Sequence, residues 1–374
     1  MKISLNVQGV RKIKEKDFRF TIDEAAGALG DFGTLLPLVI GVSAVTDMDL
    51  SRMLFFFALA YIGTGLYYKM PMPVEPMKAI GVVAIAQGLT SAQIAGAGIG
   101  MGILLFLIAV TGLMKLIKKW IPLRLIRGIQ LGLAITLVWQ ALQMMWDDLL
   151  LGILSMVIVL FYARSTRLDI SALVVLLIGT VVGIFRYGFP EVSLMALPEF
   201  ILPDGESFLY GFINGTLPQV VLTLGNAVLA TALLISDLLD RKVKEKQLLL
   251  SMSIMCLVAV PFGGFPMCHG AGGLAAQYRF GARTGGSNII SGLVLLAIAV
   301  FFATPDLDLI IPFGALGAML FYSAISLYKS SAKTEDRIFT IATGLIAFFA
   351  GMTWAFVGMF LVHILQKSIG TKNK

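Results

Sequence analysis

The chain is 374 residues long, 58% hydrophobic and only 14% charged, and its mean hydropathy of +0.90 excludes an ordinary water-soluble domain. Its two cysteines, Cys256 and Cys268, both lie in apolar sequence, which excludes a disulfide framework and a Cys-x-x-Cys metal site. The formal net charge of +7 would suit either nucleic acid or the retained cytoplasmic loops of a membrane protein, and its distribution decides for the loops.

Residues 1–22 are polar and basic (Lys2, Arg11, Lys12, Lys14, Lys16, Arg19) and lack the apolar core and cleavage site of a secretory signal, so they read as a cytoplasmic segment. Apolar runs of spanning length follow at 24–45, 51–68, 74–88, 91–114, 121–144, 149–163 and 170–187. After an extracytoplasmic linker over 191–207 come runs at 209–236, 247–263, 267–281, 288–303, 311–328, 337–350 and 351–366, then a cytoplasmic tail over 368–374. The pattern predicts an all-α polytopic membrane protein of 14 transmembrane segments, seven within 23–190 and seven within 208–367.

Counted from an inside start, the even-numbered connections carry Lys69; Lys115, Lys118 and Lys119; Arg164 and Arg167; Arg241, Lys242, Lys244 and Lys246; Arg279 and Arg283; Lys329 and Lys333. Lys367, Lys372 and Lys374 follow the last span. The odd-numbered connections carry Asp47, Asp49, Asp147, Asp148, Glu191, Glu199, Asp204, Glu206, Asp306 and Asp308, against only Arg52 and Arg186. The positive-inside rule then places both termini in the cytoplasm, with the chain in the plasma membrane.

Two segments are interrupted. The third opens Met-Pro-Met-Pro-Val-Glu-Pro-Met-Lys (Met70 to Lys78), and the tenth opens Pro-Phe-Gly-Gly-Phe-Pro-Met-Cys-His-Gly-Ala-Gly-Gly (Pro261 to Gly273). Neither stretch is helical throughout, and irregular backbone at membrane depth survives only beside protein or a wet cavity. The halves also correspond. Ile121-Pro122 opens a stretch ending Ala134-Ile135-Thr136-Leu137, and Ile311-Pro312 opens one ending Ala324-Ile325-Ser326-Leu327, an offset of 190. Pro73 and Pro266 are offset by 193, and Leu36-Pro37 and Leu217-Pro218 by 181. Two copies of seven spans insert with opposite topology, the inverted-repeat plan of secondary transporters.

In that plan the interrupted segments become helical at about Pro76 and His269, with their N-termini facing each other. Each helix start carries unpaired N–H groups and roughly half a positive charge. Together they form an anion site with Met77, Cys268 and Ala271 beside it. Pro76 suits a first helical turn. Gly270, Gly272 and Gly273 either admit an oxyanion close to the backbone or pack helices tightly. Ionisable groups at membrane depth are Asp31, Glu75 and Lys78, with His269 titratable. Asp31 and Lys78 read as site residues or as a structural ion pair. Glu75 is a proton-coupling candidate together with Asp31 and His269, because it donates to an anion when protonated and repels it when ionised. Thr34, Gln219 and Asn226 supply neutral donors or interhelical hydrogen bonds. Gly96, Gly98, Gly100 and Gly102 follow no strand and read as helix packing.

Four motifs carry a resemblance: GDFGTLLPLV (Gly30 to Val39), PMPVEPMKAI (Pro71 to Ile80), LPQVVLTLGNAV (Leu217 to Val228) and PMCHGAGGLAAQYRFGARTGG (Pro266 to Gly286). At these residues the chain resembles the molybdate transporter family of the SulP anion transporter superfamily. The resemblance implies a 7+7 inverted repeat with core and gate domains, an elevator-like movement, a homodimer, and oxyanion binding between segments three and ten. It also implies Gln in many members where Glu75 stands, and no STAS domain after the last span. The reading is a secondary active importer of molybdate, with sulfate as the alternative, driven by a proton or sodium ion. No P-loop, zinc or hydrolase motif occurs, and neither a cofactor nor a metal nor an enzymatic activity is expected. The rivals are a nucleobase or organic-anion permease, which acidic residues on segments eight and ten would favour and this chain lacks, and an intramembrane enzyme or a passive channel.

Overall fold

Helices occupy every one of the predicted apolar runs in a computed structural model that describes residues 17–114, 116, 122–163, 171–189, 192–195, 197–198, 200–302 and 311–372. Residues 1–16, Lys115, Lys118, Lys119, Ile121, Arg164, Arg167, Glu191, Glu199, Asp306, Asp308, Asn373 and Lys374 lie outside the described residues, as do the side chains of Lys367 and Lys372. The first half comprises α1 (Ile22–Gly30), α2 (Phe32–Val45), α3 (Leu50–Tyr68), α4 (Lys78–Gln87), α5 (Ser91–Thr111), α6 (Leu123–Asp147), α7 (Leu149–Ala163) and α8 (Ser171–Tyr187). The second comprises α9 (Gly205–Leu239), α10 (Glu245–Ala259), α11 (Ala271–Phe280), α12 (Gly285–Phe301), α13 (Phe313–Ser331), α14 (Arg337–Ala350) and α15 (Met352–Lys372).

Local chemistry sets the boundaries. Asp49 accepts from Arg52 N at 2.8 Å to start α3, Thr90 and Gln93 form a reciprocal capping box on α5, and Asp204 accepts from Ser207 N at 2.7 Å on α9. Gly88 and Gly112 end α4 and α5 with positive φ of 61° and 72°, a conformation that favours glycine. The first predicted run is not straight: α1 and α2 meet at Asp31 with a bend of 42°. In α9, π-helical turns over Phe212–Thr216 and Thr223–Ala230 flank Pro218 and keep the segment helical around a residue with no N–H.

Among the described residues, five helices are long and apolar enough to cross a bilayer, or seven if each of two bent pairs forms one span. The other predicted runs fall on shorter or less apolar helices. At 10 residues each, α4 and α11 rise about 15 Å, half of a hydrocarbon core about 30 Å thick.

The helices pack as two bundles, one of α1–α5 with α9–α12 and the other of α6–α8 with α13–α15, which touch chiefly where α2, α4 and α9 meet α6, α8, α13 and α15. Glycines bring helices together as expected: a Cβ on Gly96 would lie 2.6 Å from Phe208 Cα, and one on Gly102 would lie 2.7 Å from Leu257 Cγ.

Candidate functional site

Two extended arms cross in the middle of the first bundle. Residues β1 (Glu75–Pro76) and β2 (Met267–Cys268) pair antiparallel, with Glu75 opposite Cys268 and Pro76 opposite Met267. The arms are polar backbone in an apolar interior, so their groups must find protein partners. Asn288 of α12 provides two of them, accepting from Met72 N at 3.0 Å and donating to Met72 O at 2.5 Å. Met77 N donates to Pro266 O at 2.9 Å, and Thr231 Oγ1 donates to His269 O at 2.9 Å. Helix starts expected at Pro76 and His269 lie two residues later, at Lys78 and Ala271, with Met77 and Gly270 as N-caps. Pro76 is therefore a strand residue and not part of a first helical turn, because the strand pairing holds it extended.

The exposed amides of the two helix starts are met by side chains. Gln219 Oε1 of α9 accepts from Ala79 N of α4 at 2.7 Å, and Glu75 Oε1 accepts from Gly273 N of α11 at 2.7 Å. Glu75 is fully buried, and its Oε2 lies 2.7 Å from Lys78 Nζ. That oxygen makes no hydrogen bond of acceptable angle, so the contact is an attraction between charges more than a directional bond. Lys78 thus pairs with Glu75, where the sequence offered Asp31 as its ion-pair partner. Asp31 is instead held by the Tyr61 hydroxyl of α3 and by Thr34 Oγ1 at 2.7 Å. The glycines of α11 differ in surroundings. A Cβ on Gly270 would strike the Glu75 carboxyl, and one on Gly273 would lie 2.5 Å from Glu75 Oε1 and collide with the Asp31 carboxyl, whereas Gly272 faces open space. Two of the three glycines therefore make room for the protein's own carboxylates.

A cavity of about 50 Å³ adjoins this cluster, and Glu75, Lys78, Gln219, Asn226, Cys268 and Gly272 are among its lining residues. The second bundle closes it with Gln130 of α6 and Ser326 and Ser330 of α13. Thr34 and Lys78 meet Ser323 and Ser326 across a smaller neighbouring gap. The structure thus gathers Glu75, Lys78, Gln219, Asn226, Cys268 and Gly272, and puts Asp31 behind them. It does not bring in the His269 side chain. One ring nitrogen, Nδ1, lies 2.9 Å from Pro73 O and takes the donor role, and Nε2 lies 2.7 Å from Ser251 Oγ on α10, away from the cavity. Pro76, Met77, Gly270 and Ala271 contribute backbone position and do not line the cavity. Sequence reasoning missed Tyr61, Gln130, Ser326 and Ser330, which sit on long apolar helices where one polar residue gives no local signal.

A family model described as "Molybdate transporter of MFS superfamily" matches residues 23–137 and 211–327. The chain belongs to this molybdate transporter family. It is 31% identical to Molybdate transporter 2 of Arabidopsis thaliana over 84% of this chain and 80% of that protein. Molybdate transporter 1 of Arabidopsis thaliana is 30% identical, over 86% of this chain and 82% of that protein. Among solved structures, the transmembrane domain of a cyanobacterium bicarbonate transporter superposes with a TM-score of 0.66 at 17% identity, covering 91% of this chain and 96% of that one. The murine solute carrier 26 family member A9 anion transporter, in its inward-facing state, gives 0.67 at 13% identity over 96% of this chain and 70% of that one. The chain therefore has the fold of these two transporters. The family identifies it as an integral membrane anion transporter and not an enzyme, and the two matched blocks end 190 residues apart, the spacing of the sequence repeat.

Proposed function

We propose that this protein is a secondary active importer of a tetrahedral oxyanion, molybdate before sulfate, working as a proton-coupled elevator of 14 crossings and as a homodimer, with both termini cytoplasmic in the plasma membrane. The observation that carries this reading is a pair of half-helix starts beside a small polar cavity whose one lining cation, among the described residues, is Lys78. Room for one water takes about 10–15 Å³ and organic-ligand pockets start near 300 Å³. A cavity of about 50 Å³ suits a small inorganic ion and speaks against a nucleobase. The names of the molybdate-transporting relatives support the first choice of substrate.

Glu75 supplies the coupling. When ionised, it occupies the Gly273 amide and faces the Lys78 ammonium, the donors a dianion needs. A proton on Glu75 weakens both holds and turns the carboxyl into a donor, so proton and anion each strengthen the other's binding. Carrying a dianion into a negative interior costs about 4.6 kcal/mol per 100 mV, so uptake requires cations to travel with it. The test is accumulation of labelled molybdate and sulfate in proteoliposomes, each competed by the other, with and without a collapsed proton gradient. Gradient-dependent molybdate uptake inhibited by sulfate is expected. Uptake of uracil with neither oxyanion accumulating overturns the reading.

A further inference from the structure

A second cavity, of about 390 Å³, lies on the outer face of the first bundle between α3 and α10. Phe56, Leu59 and Gly63 of α3 face Leu250, Ile254 and Val258 of α10 across it. It is hollow because Gly63 has no side chain: a Cβ built there would meet nothing within 4 Å. From Gln247 to Val258 the groove follows twelve residues of α10, a rise of about 16 Å, close to half of a hydrocarbon core about 30 Å thick. Its length is that of a single leaflet.

One end of the groove is basic. Tyr67, Tyr68 and Gln247 line that end, where Tyr68 OH donates to Gln247 O at 3.1 Å. Immediately beyond stand Lys69, whose ammonium pairs with Asp17 at 2.8 Å and whose carbonyl accepts from Arg241 Nη1 at 2.9 Å, and the exposed Lys242, Lys244 and Lys246. A cluster of lysines and arginines at the membrane edge attracts anionic lipid headgroups. The positive-inside pattern puts this end in the cytoplasmic leaflet, where such lipids are held.

The geometry points to a bound anionic phospholipid, one acyl chain filling the α3–α10 groove and its phosphate resting on the exposed Lys242, Lys244 and Lys246. The floor of the groove is the back of the anion site. Met267 of β2 lines it, and so does Ser251, which bonds His269, which in turn bonds Pro73 of the opposite arm. The lipid thereby packs against the β2 arm, and meets the other arm only through Ser251 and His269, without entering the polar cavity.

Native mass spectrometry of the purified protein, released from mixed phosphatidylglycerol and phosphatidylcholine micelles, reads this binding without measuring transport and so separately from the transport reading. Wild type is expected to retain phosphatidylglycerol at least threefold over phosphatidylcholine. Gly63→Phe, which fills the groove, and a Lys242→Gln/Lys244→Gln/Lys246→Gln variant, which strips charge from an exposed loop, should each bring that ratio to the micelle composition. Equal retention of both lipids by wild type means an annular shell only and overturns the inference. Undiminished selectivity in the lysine variant also overturns it, whether or not Gly63→Phe folds. So does a photoreactive acyl-chain probe that labels elsewhere than residues 56–67 and 247–258, or cross-linking that shows a second copy of the chain seated in the groove.

Discussion

Gly273 has no room for a methyl group, because the Asp31 and Glu75 carboxyls press against its α-carbon from two directions. Gly273→Ala should therefore leave the protein able to insert but lower anion uptake at least tenfold, since Glu75 must leave the amide it caps; uptake within twofold of wild type would place the carboxylate elsewhere. Glu75→Gln should keep anion exchange while removing dependence on the proton gradient, and unchanged dependence in the same proteoliposomes takes Glu75 out of the coupling role. Tyr61→Phe deletes one donor to a buried carboxylate and is expected to cost about 1–3 kcal/mol, read as a lower melting temperature in detergent. Glu75 and Lys78 were legible in the sequence because charge inside an apolar, proline-broken run is costly and so conspicuous. Tyr61 was not, as it approaches Asp31 from 30 residues away on a helix whose other residues give no hint of that contact. His269 stood out for the same reason as Glu75, yet its ring points backwards to Ser251, because alternation along an extended arm sends neighbouring side chains to opposite sides.

At the scale of elements, the breaks at Pro73 and Pro266 were readable because proline and glycine clusters cannot continue a helix at membrane depth. The pairing of the two arms was not, since two residues of strand have no periodicity. Helix ends depend on caps that can be tested singly. Asp336 starts α14, accepting from Phe339 N at 3.0 Å and from Arg124 Nη1 at 2.7 Å. The Phe339 amide first, then Arg124, hold its carboxyl below the usual aspartate range. A depressed value means that the cap contributes fully above about pH 4 and is lost as pH falls through the folded-state value. Asp336→Ala should destabilise by about 1 kcal/mol at neutral pH, and its melting curve should converge with that of wild type in acid. A constant gap at all pH values would show that the charge is not what matters.

Across the whole molecule, proline landmarks at similar offsets suggest two corresponding halves in the sequence, but the sorting of spans into two bundles leaves no such mark, because it follows from contacts between helices far apart in the chain. Thr34 on α2 and Ser323 on α13 face each other across the seam between those bundles. An oxidised Thr34→Cys/Ser323→Cys pair is expected to stop net uptake, with recovery on reduction. Full uptake in the cross-linked state would exclude sliding at this seam. The short ladder joining Glu75–Pro76 to Met267–Cys268 has a final consequence. The ladder joins the two helix starts into one unit, so in the elevator proposed above cargo arriving from either compartment would meet the same pair of donors. Under that proposal affinity would be written once, into the carriage, and the direction of travel left to whatever opens around it.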